Sequence, residues 1–331
     1  MASRLPPWLR ARRTVVALEL AVLAVFLLAL GWAVRDVWAE AEPRLRNANV
    51  TDLGIALAVV AVYYLVFVLG WVRILAAYGI RVRYTVALQA EMISMLAKYV
   101  PGGVWTPAAR VVALRKFGVR DTPTVLATIL LEAGLSAIAG VLVFVVGLAI
   151  VGGADAPLVP LAIFFAVVAF LLHPRVFRVV ARRLLRPFGA HEVASLPTRT
   201  ALGLVGFYAL TWPLGGVALF FLLRSVGGDP ALSTIPFLGG AAAVGAIVAV
   251  LAVFAPSGLG VREASMYGLM LAVAADAVAL GATLLNRLAI TVVEAALLLG
   301  GALFLRGRGA VAPEPAVDAE SEDRELVAQG R

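Results

Sequence analysis

The chain has 331 residues, 62% of them hydrophobic and 15% charged, with a formal net charge of +8 and no Cys. That charged share is well below the ~25% of soluble domains, and the mean hydropathy of +0.98 argues for a membrane protein. Without Cys there is no disulfide framework, iron–sulfur cluster or thiol nucleophile. With His173 and His191 as its two His, the chain gives no basis for a His-rich metal site or for a cofactor.

Arg4, Arg10, Arg12 and Arg13 mark residues 1–13 as a basic N-terminus. The apolar run 14–34 follows, about 21 residues against the ~7–15 of a secretory core. It reads as an uncleaved first span, although Ala39-Glu40-Ala41 mimics a cleavage site. Further spans are predicted near 53–72, 124–151, 157–173, 200–223 and 280–304, each near the ~20 residues that cross hydrocarbon. Two interrupted segments, 86–122 and 235–278, lie between them. The membrane domain runs from 14 to 306. From Ala312 the tail carries six acids and two Arg, which leaves the body near +12, and residues 307–331 read as disordered and cytoplasmic.

Positive charge in such a chain speaks first of orientation, then of anionic lipid, and not of nucleic acid. The N-terminal Arg cluster reads as cytoplasmic, and Trp32 and Trp38 as outer interfacial anchors. Arg73, Arg81 and Arg83 read as inside, as do Arg175, Arg178, Arg182, Arg183, Arg186 and Arg199, and Arg306 with Arg308. A full crossing by 86–104 would place Arg110, Arg115, Lys116 and Arg120 outside and invert every later loop. The segment 86–122 is therefore predicted to enter from the cytoplasm and return. For 235–278 the rule decides nothing, and both arms are expected to be long enough to span. The expected class is an all-α polytopic protein of the inner membrane, with both termini cytoplasmic. It has six to eight transmembrane helices and one or two re-entrant hairpins.

The two interruptions share their punctuation. One reads Lys98-Tyr99-Val100-Pro101-Gly102-Gly103-Val104-Trp105, with Arg110 beyond; the other reads Pro256-Ser257-Gly258-Leu259-Gly260-Val261-Arg262-Glu263. Pro and Gly break helices, and broken backbone survives in hydrocarbon only inside protein or beside water. Residues 53–151 run span, break, Arg110, then a span with Glu132. Residues 200–304 run span, break, Arg262, then a span with Glu294. The leading spans run in opposite directions, which fits an inverted repeat; chance is the alternative.

Ionisable groups inside membrane segments mark function by default. Glu91, Ser94 and Lys98 share a helix face, though that face could simply keep toward water. Arg110 and Arg262 offer guanidinium forks suited to a lipid phosphate, beside helix N-termini that add positive potential; for Arg110 a cytoplasmic anchor is the alternative. Glu132, Glu263 and Glu294 offer a polar track or a proton-coupling site. Arg287, Thr291 and Glu294 share a face, so Arg287 and Glu294 could instead be a structural pair. Asn286 adds a polar group. Tyr99 and Trp105 line a headgroup pocket or act as interfacial aromatics. Asn49-Val50-Thr51 matches the glycosylation sequon and carries little weight, and the Pro and Gly pair in Thr211-Trp212-Pro213-Leu214-Gly215-Gly216 reads as close helix packing. No G-x-S-x-G, Walker, H-E-x-x-H or Asp-rich motif is present.

These residues carry a family resemblance. Lys98 to Trp105 with Arg110 resembles one signature of the lysylphosphatidylglycerol synthase transmembrane-region, or flippase-like, family. Pro256 to Ala264 resembles its second, and Leu285-Asn286-Arg287-Leu288 is similar to a weaker third. The resemblance spans roughly 14–306. In the best-known member, the multiple peptide resistance factor, this region flips aminoacylated phospholipid and a separate C-terminal domain aminoacylates it. The resemblance therefore implies a lipid flippase-like transporter without the synthase activity. Its cargo would be an anionic or aminoacylated phospholipid, or a lipid-linked glycan or polyprenyl-phosphate carrier. A membrane-embedded lipid-modifying transferase or hydrolase, using Glu91, Glu132, Glu263 or Glu294, remains an alternative. So does a non-catalytic membrane partner of a separate lipid-modifying enzyme. Nothing in the sequence sets an oligomeric state.

Overall fold

Hydrocarbon offers no water to an unpaired amide, so apolar runs of this kind must close their hydrogen bonds within helices. The computed structural model describes residues 38–98, 105–152, 179, 196–252, 255 and 258–307, and its regular elements are all helical. They are α1 (Val50–Ala77), α2 (Tyr84–Ala97), α3 (Trp105–Lys116), α4 (Thr122–Val151), α5 (Thr198–Ser225), a 3-10 turn (Leu232–Thr234), α6 (Ile235–Leu251), α7 (Val261–Met270) and α8 (Asp276–Gly307). Among the described residues, five segments are long and apolar enough to cross a membrane: Val50–Ala77, Thr122–Val151, Thr198–Ser225, Leu232–Leu251 and Asp276–Leu303. The predicted spans 14–34 and 157–173 lie outside the described residues.

Local chemistry sets the helix ends. The Asn49 side chain accepts from the amides of Thr51, at 2.9 Å, and Asp52, at 3.2 Å, so it caps α1. This gives the Asn of the sequon triplet a structural role. Asp121 caps α4 by accepting from the Thr124 amide at 3.1 Å. Both interrupted segments are broken helices. The 14 residues of α2 and the 12 of α3 flank the first break. The 17 residues of α6 and the 10 of α7 flank the second. Gly258 and Gly260 stand there at φ of 62° and 80°, in the left-handed region that Gly tolerates.

The second arm of 235–278 is therefore shorter than expected. At 1.5 Å per residue α7 is about 15 Å long, half the ~30 Å of a hydrocarbon core. It ends at Met270 because residues 271–275 turn and Asp276 opens the next helix.

The helices fall into two matching sets, α1–α4 and α5–α8. The leading helices α1 and α5 run antiparallel. The Asn49 amide donates to the Ser225 carbonyl at 2.8 Å at one end, and Tyr208 reaches Gly70 toward the other. Each packing within one set has its counterpart in the other: α2 on α3 and α6 on α7, α1 on α4 and α5 on α8. Contacts between the sets also pair off, α4 on α6 with α8 on α2, and α4 on α5 with α8 on α1. Val68, Trp71 and Leu75 at the end of α1 share one apolar cluster with Ala87 of α2, Leu114 of α3 and Val125 of α4. The start of α2 and the end of α3 thus lie in one cluster with the end of α1.

Helices in lipid associate by close packing of small residues. Gly147 on α4 lies against the Phe237 backbone of α6, and Gly240 on α6 lies against Phe144 of α4, so a Cβ at either would overlap backbone. Gly216 on α5 meets the Ile235 carbonyl and Gly239 in the same way, which bears on the predicted packing role of the Pro213 and Gly216 stretch. Overpacking such contacts costs about 1–3 kcal/mol. Gly240→Val is expected to lower the thermal unfolding midpoint in detergent, whereas Gly203→Ala, with no neighbour within 4 Å of its new methyl, leaves it unchanged or slightly raised.

Candidate functional site

Four cations and four carboxylates gather where the broken segments meet α4 and α8. Arg110 of α3 is their most buried member, 4% exposed. One Nη of its fork donates to Glu132 of α4 and the other pairs with Glu91 of α2. Its guanidinium carbon lies 4.4 Å from the ring centroid of Trp71 on α1, a cation–π arrangement. Trp71 is itself fixed, its indole N–H donating to the Thr128 hydroxyl at 3.2 Å. Arg110 therefore ties four helices together.

The second group spans the two sets. Lys98, the last described residue before the first break, donates to both carboxylate oxygens of Glu294 on α8, at 2.6 and 2.8 Å. Tyr64 of α1 donates its hydroxyl to the same carboxylate. Glu294 is almost fully buried, so its charge needs both partners.

The third group lies at the second break. Glu263 accepts from the Gly260 amide at 2.7 Å, fastening the first turn of α7, and pairs with Arg287 of α8 at 3.4 Å. Arg262, the second residue of α7, points elsewhere, as consecutive helix residues must. It is half-buried and, among the described residues, forms no ion pair or side-chain hydrogen bond. It lies within electrostatic reach of Lys98, Tyr63 and Tyr64.

Several pairings differ from those expected. The pair drawn between Arg287 and Glu294 does not form; Glu294 takes Lys98, and Arg287 takes Glu263. Helix α2 ends at Ala97, and the Lys98 ammonium beside that end meets α8, which no single-helix wheel could show. Glu91 pairs with Arg110 across to α3, and Ser94, on its helix face, donates to the Glu91 carbonyl at 2.6 Å. Both Nη groups of Arg110 are held by carboxylates, so its fork faces protein. The Asn286 amide sits 3.7 Å from the Met266 sulfur, and the Thr291 hydroxyl donates to the Arg287 carbonyl at 2.9 Å. Trp105 is 37% exposed and, with Ile93, Ala97 and Val112, lines an apolar groove of about 320 Å³ between α2 and α3. Tyr99, Pro101, Gly102, Gly103 and Pro256 lie outside the described residues.

The structure also adds residues that the sequence reading passed over. Tyr63 stacks edge-on with Tyr64, ring centroids 5.5 Å apart, and lies 6.0 Å from Trp212. Trp212 donates to the Ser136 carbonyl at 2.9 Å. Tyr208 stands over Gly70 beside the Arg110 group. The available signal was position: Tyr63 and Tyr64 fall in mid-span, away from the interfaces where such aromatics are usual. Among the described residues no three of His, Asp and Glu gather as metal ligands.

The family model for the lysylphosphatidylglycerol synthase TM region matches residues 16–297. The chain belongs to this family. No curated protein matches it. Within this TM region the first signature supplies Lys98 and Arg110, and the second supplies Arg262 and Glu263. Residues of the two signatures thus lie within electrostatic reach of one another, Lys98 of Arg262.

Removing Arg110 leaves two buried carboxylates without their cation, a loss of about 3–5 kcal/mol for a broken buried pair. Arg110→Met should therefore lower the unfolding midpoint of the detergent-solubilised protein sharply. Arg224→Met, which loses a half-exposed contact to Asp52 at 3.8 Å and two ring contacts at 5.8 Å to Phe220 and Phe221, should leave it within a few degrees.

Proposed function

We propose that this chain is a flippase-like transporter that moves a lipid with a phosphate-bearing headgroup between leaflets, making no covalent change to it. The observation that carries this reading is Arg262. It is a half-buried guanidinium at the start of α7, without an ion partner among the described residues, and surrounded by charges that are already paired. An unpaired cation is costly in low dielectric, and a lipid phosphate supplies both the charge and the planar acceptors that a guanidinium fork fits. The free amides at the α7 N-terminus add to the attraction.

In this reading α2–α3 and α6–α7 are hairpins that enter the membrane and return, with the breaks at their tips. The two sets α1–α4 and α5–α8 form an inverted repeat. The antiparallel leading helices and the matched packings support that relation, and sites between such repeats lie near the midplane. The protein sits in the cytoplasmic membrane with both termini inside. An anionic or aminoacylated phospholipid and a polyprenyl-phosphate or lipid-linked glycan carrier share the phosphate that Arg262 takes. A separate lipid-modifying enzyme would supply or use such a cargo. Lys98, Arg287 and Trp105 complete the headgroup path, and Glu263 holds Arg287 in place.

The test is movement of labelled lipids across vesicles containing the purified protein. The wild type should accelerate the transfer of at least one phosphate-bearing lipid over empty vesicles. Charge-assisted hydrogen bonds are worth about 1.5–3 kcal/mol, and about 1.4 kcal/mol is tenfold. Arg262→Ala should therefore slow transfer about tenfold or more, with Arg224→Ala unaffected. Equal rates in loaded and empty vesicles across phospholipid and polyprenyl-phosphate probes would sink the reading.

A further inference from the structure

The Arg110 group is not balanced within itself. Among the described residues Arg262 pairs with no carboxylate, Lys98 with Glu294, Arg287 with Glu263, and Arg110 with two. Glu91, Arg110 and Glu132 are all nearly sealed from solvent, 1%, 4% and 3% exposed. Fully ionised, they would bury one uncompensated negative charge. Two like charges on adjacent carboxyls in such a site cannot both persist without a further cation.

The unused polar atoms show what that cation can be. Oε1 of Glu132 is buried with no hydrogen-bond partner, and so are the Tyr208 hydroxyl and Nε of Arg110. A metal ion needs a shell of several oxygens; Oε2 of Glu91 is turned to Arg110, and the two oxygen atoms that remain do not make one. A lipid ammonium cannot reach the group, because Trp71 covers the guanidinium face and the carboxylates are closed off. A proton needs neither shell nor path of any width. The other groups in range are Lys98 and Glu294, which neutralise each other, Tyr63 on α1, Tyr208 on α5, and Arg262, which shares Tyr63 with the two carboxyls but forms an ion pair with neither. None of them supplies the missing positive charge.

We propose that Glu91, Arg110 and Glu132 form a proton-binding site in which the two carboxyl groups share one proton at neutral pH. The proton sits on one carboxyl or the other, on α2 or on α4, while Arg110 holds both from α3. Its loss would leave the α2–α3 hairpin and α4 with one excess negative charge between them. This inference rests on charge balance and stands whether or not the chain moves lipid.

Infrared difference spectroscopy of the purified protein tests it, since only a protonated carboxylic acid shows the high-frequency carbonyl stretch. The wild type should show this band. Glu91→Gln should lose it entirely, because Glu132 then matches Arg110 one to one and ionises; Glu132→Gln should lose it by the same argument. The double variant should lose no more than either single one, whereas two independently protonated acids would lose the band in additive parts. Glu263→Gln, outside the group, should keep it. Both single variants are near-isosteric and charge-matched, and unchanged unfolding midpoints confirm that they are folded. If either single variant is unfolded, the wild-type spectrum still decides. A wild type without the band, or one whose band survives either single substitution, overturns the proposal.

Discussion

Charge inside hydrocarbon has to be balanced where it sits, and the arrangement of this protein follows from that constraint. Arg110 lies on a helix of 12 residues, too short to cross a bilayer on its own. It is held because α2 and α4 each bring a carboxylate and α1 brings the Trp71 ring. The ion pairs are the fastening of the first broken segment: without them a short helix carrying an Arg would have no reason to stay embedded. Lys98 and Glu294 do the same between the halves, joining the first break to the last helix.

Such pairs demand close backbones, and the glycines provide them. Gly147 and Gly240 bring α4 against α6, and Gly70 leaves room for Tyr208 beside the buried Arg. Since lipid tails are as apolar as the helix surfaces, there is little hydrophobic force between helices, and shape must hold them. Small residues and buried charges are thus two parts of one solution. The small residues set the helix spacing at which carboxylates from α2 and α4 can meet a single guanidinium.

The large features were legible in the sequence because they depend on composition along the chain. Four of the predicted spans, near 53–72, 124–151, 200–223 and 280–304, coincide with α1, α4, α5 and α8, and both interruptions fall between helices. Legibility stopped where the chain folds back on itself. A helix wheel places Arg287 beside Glu294 and Lys98 on the face of Glu91, yet α2 ends at Ala97 and the Lys98 side chain meets α8. The partners of Arg110 sit 19 residues before it and 22 after, on two separate helices, a relation that no local spacing encodes. Tyr63, Tyr64, Trp71 and Tyr208 went unnoticed for a related reason: aromatics in an apolar run look like core until the charges they serve are placed beside them. The short α7 was obscured because residues 271–275 are as apolar as a helix interior, and only the turn and Asp276 end it.

The two halves repeat their order of helices but not their chemistry, and that difference is where function can reside. In the first half the Arg beyond the break is closed over by two carboxylates. In the second, Glu263 turns back to the Gly260 amide and across to Arg287, while no acid on α6 occupies the place that Glu91 holds on α2. Arg262 is left without an ion partner among the described residues, and the Arg110 group holds two carboxylates to one cation. A fold with strict symmetry would have balanced each half separately. In the reading proposed above, a lipid phosphate would fill the shortfall on one side and a proton the excess on the other.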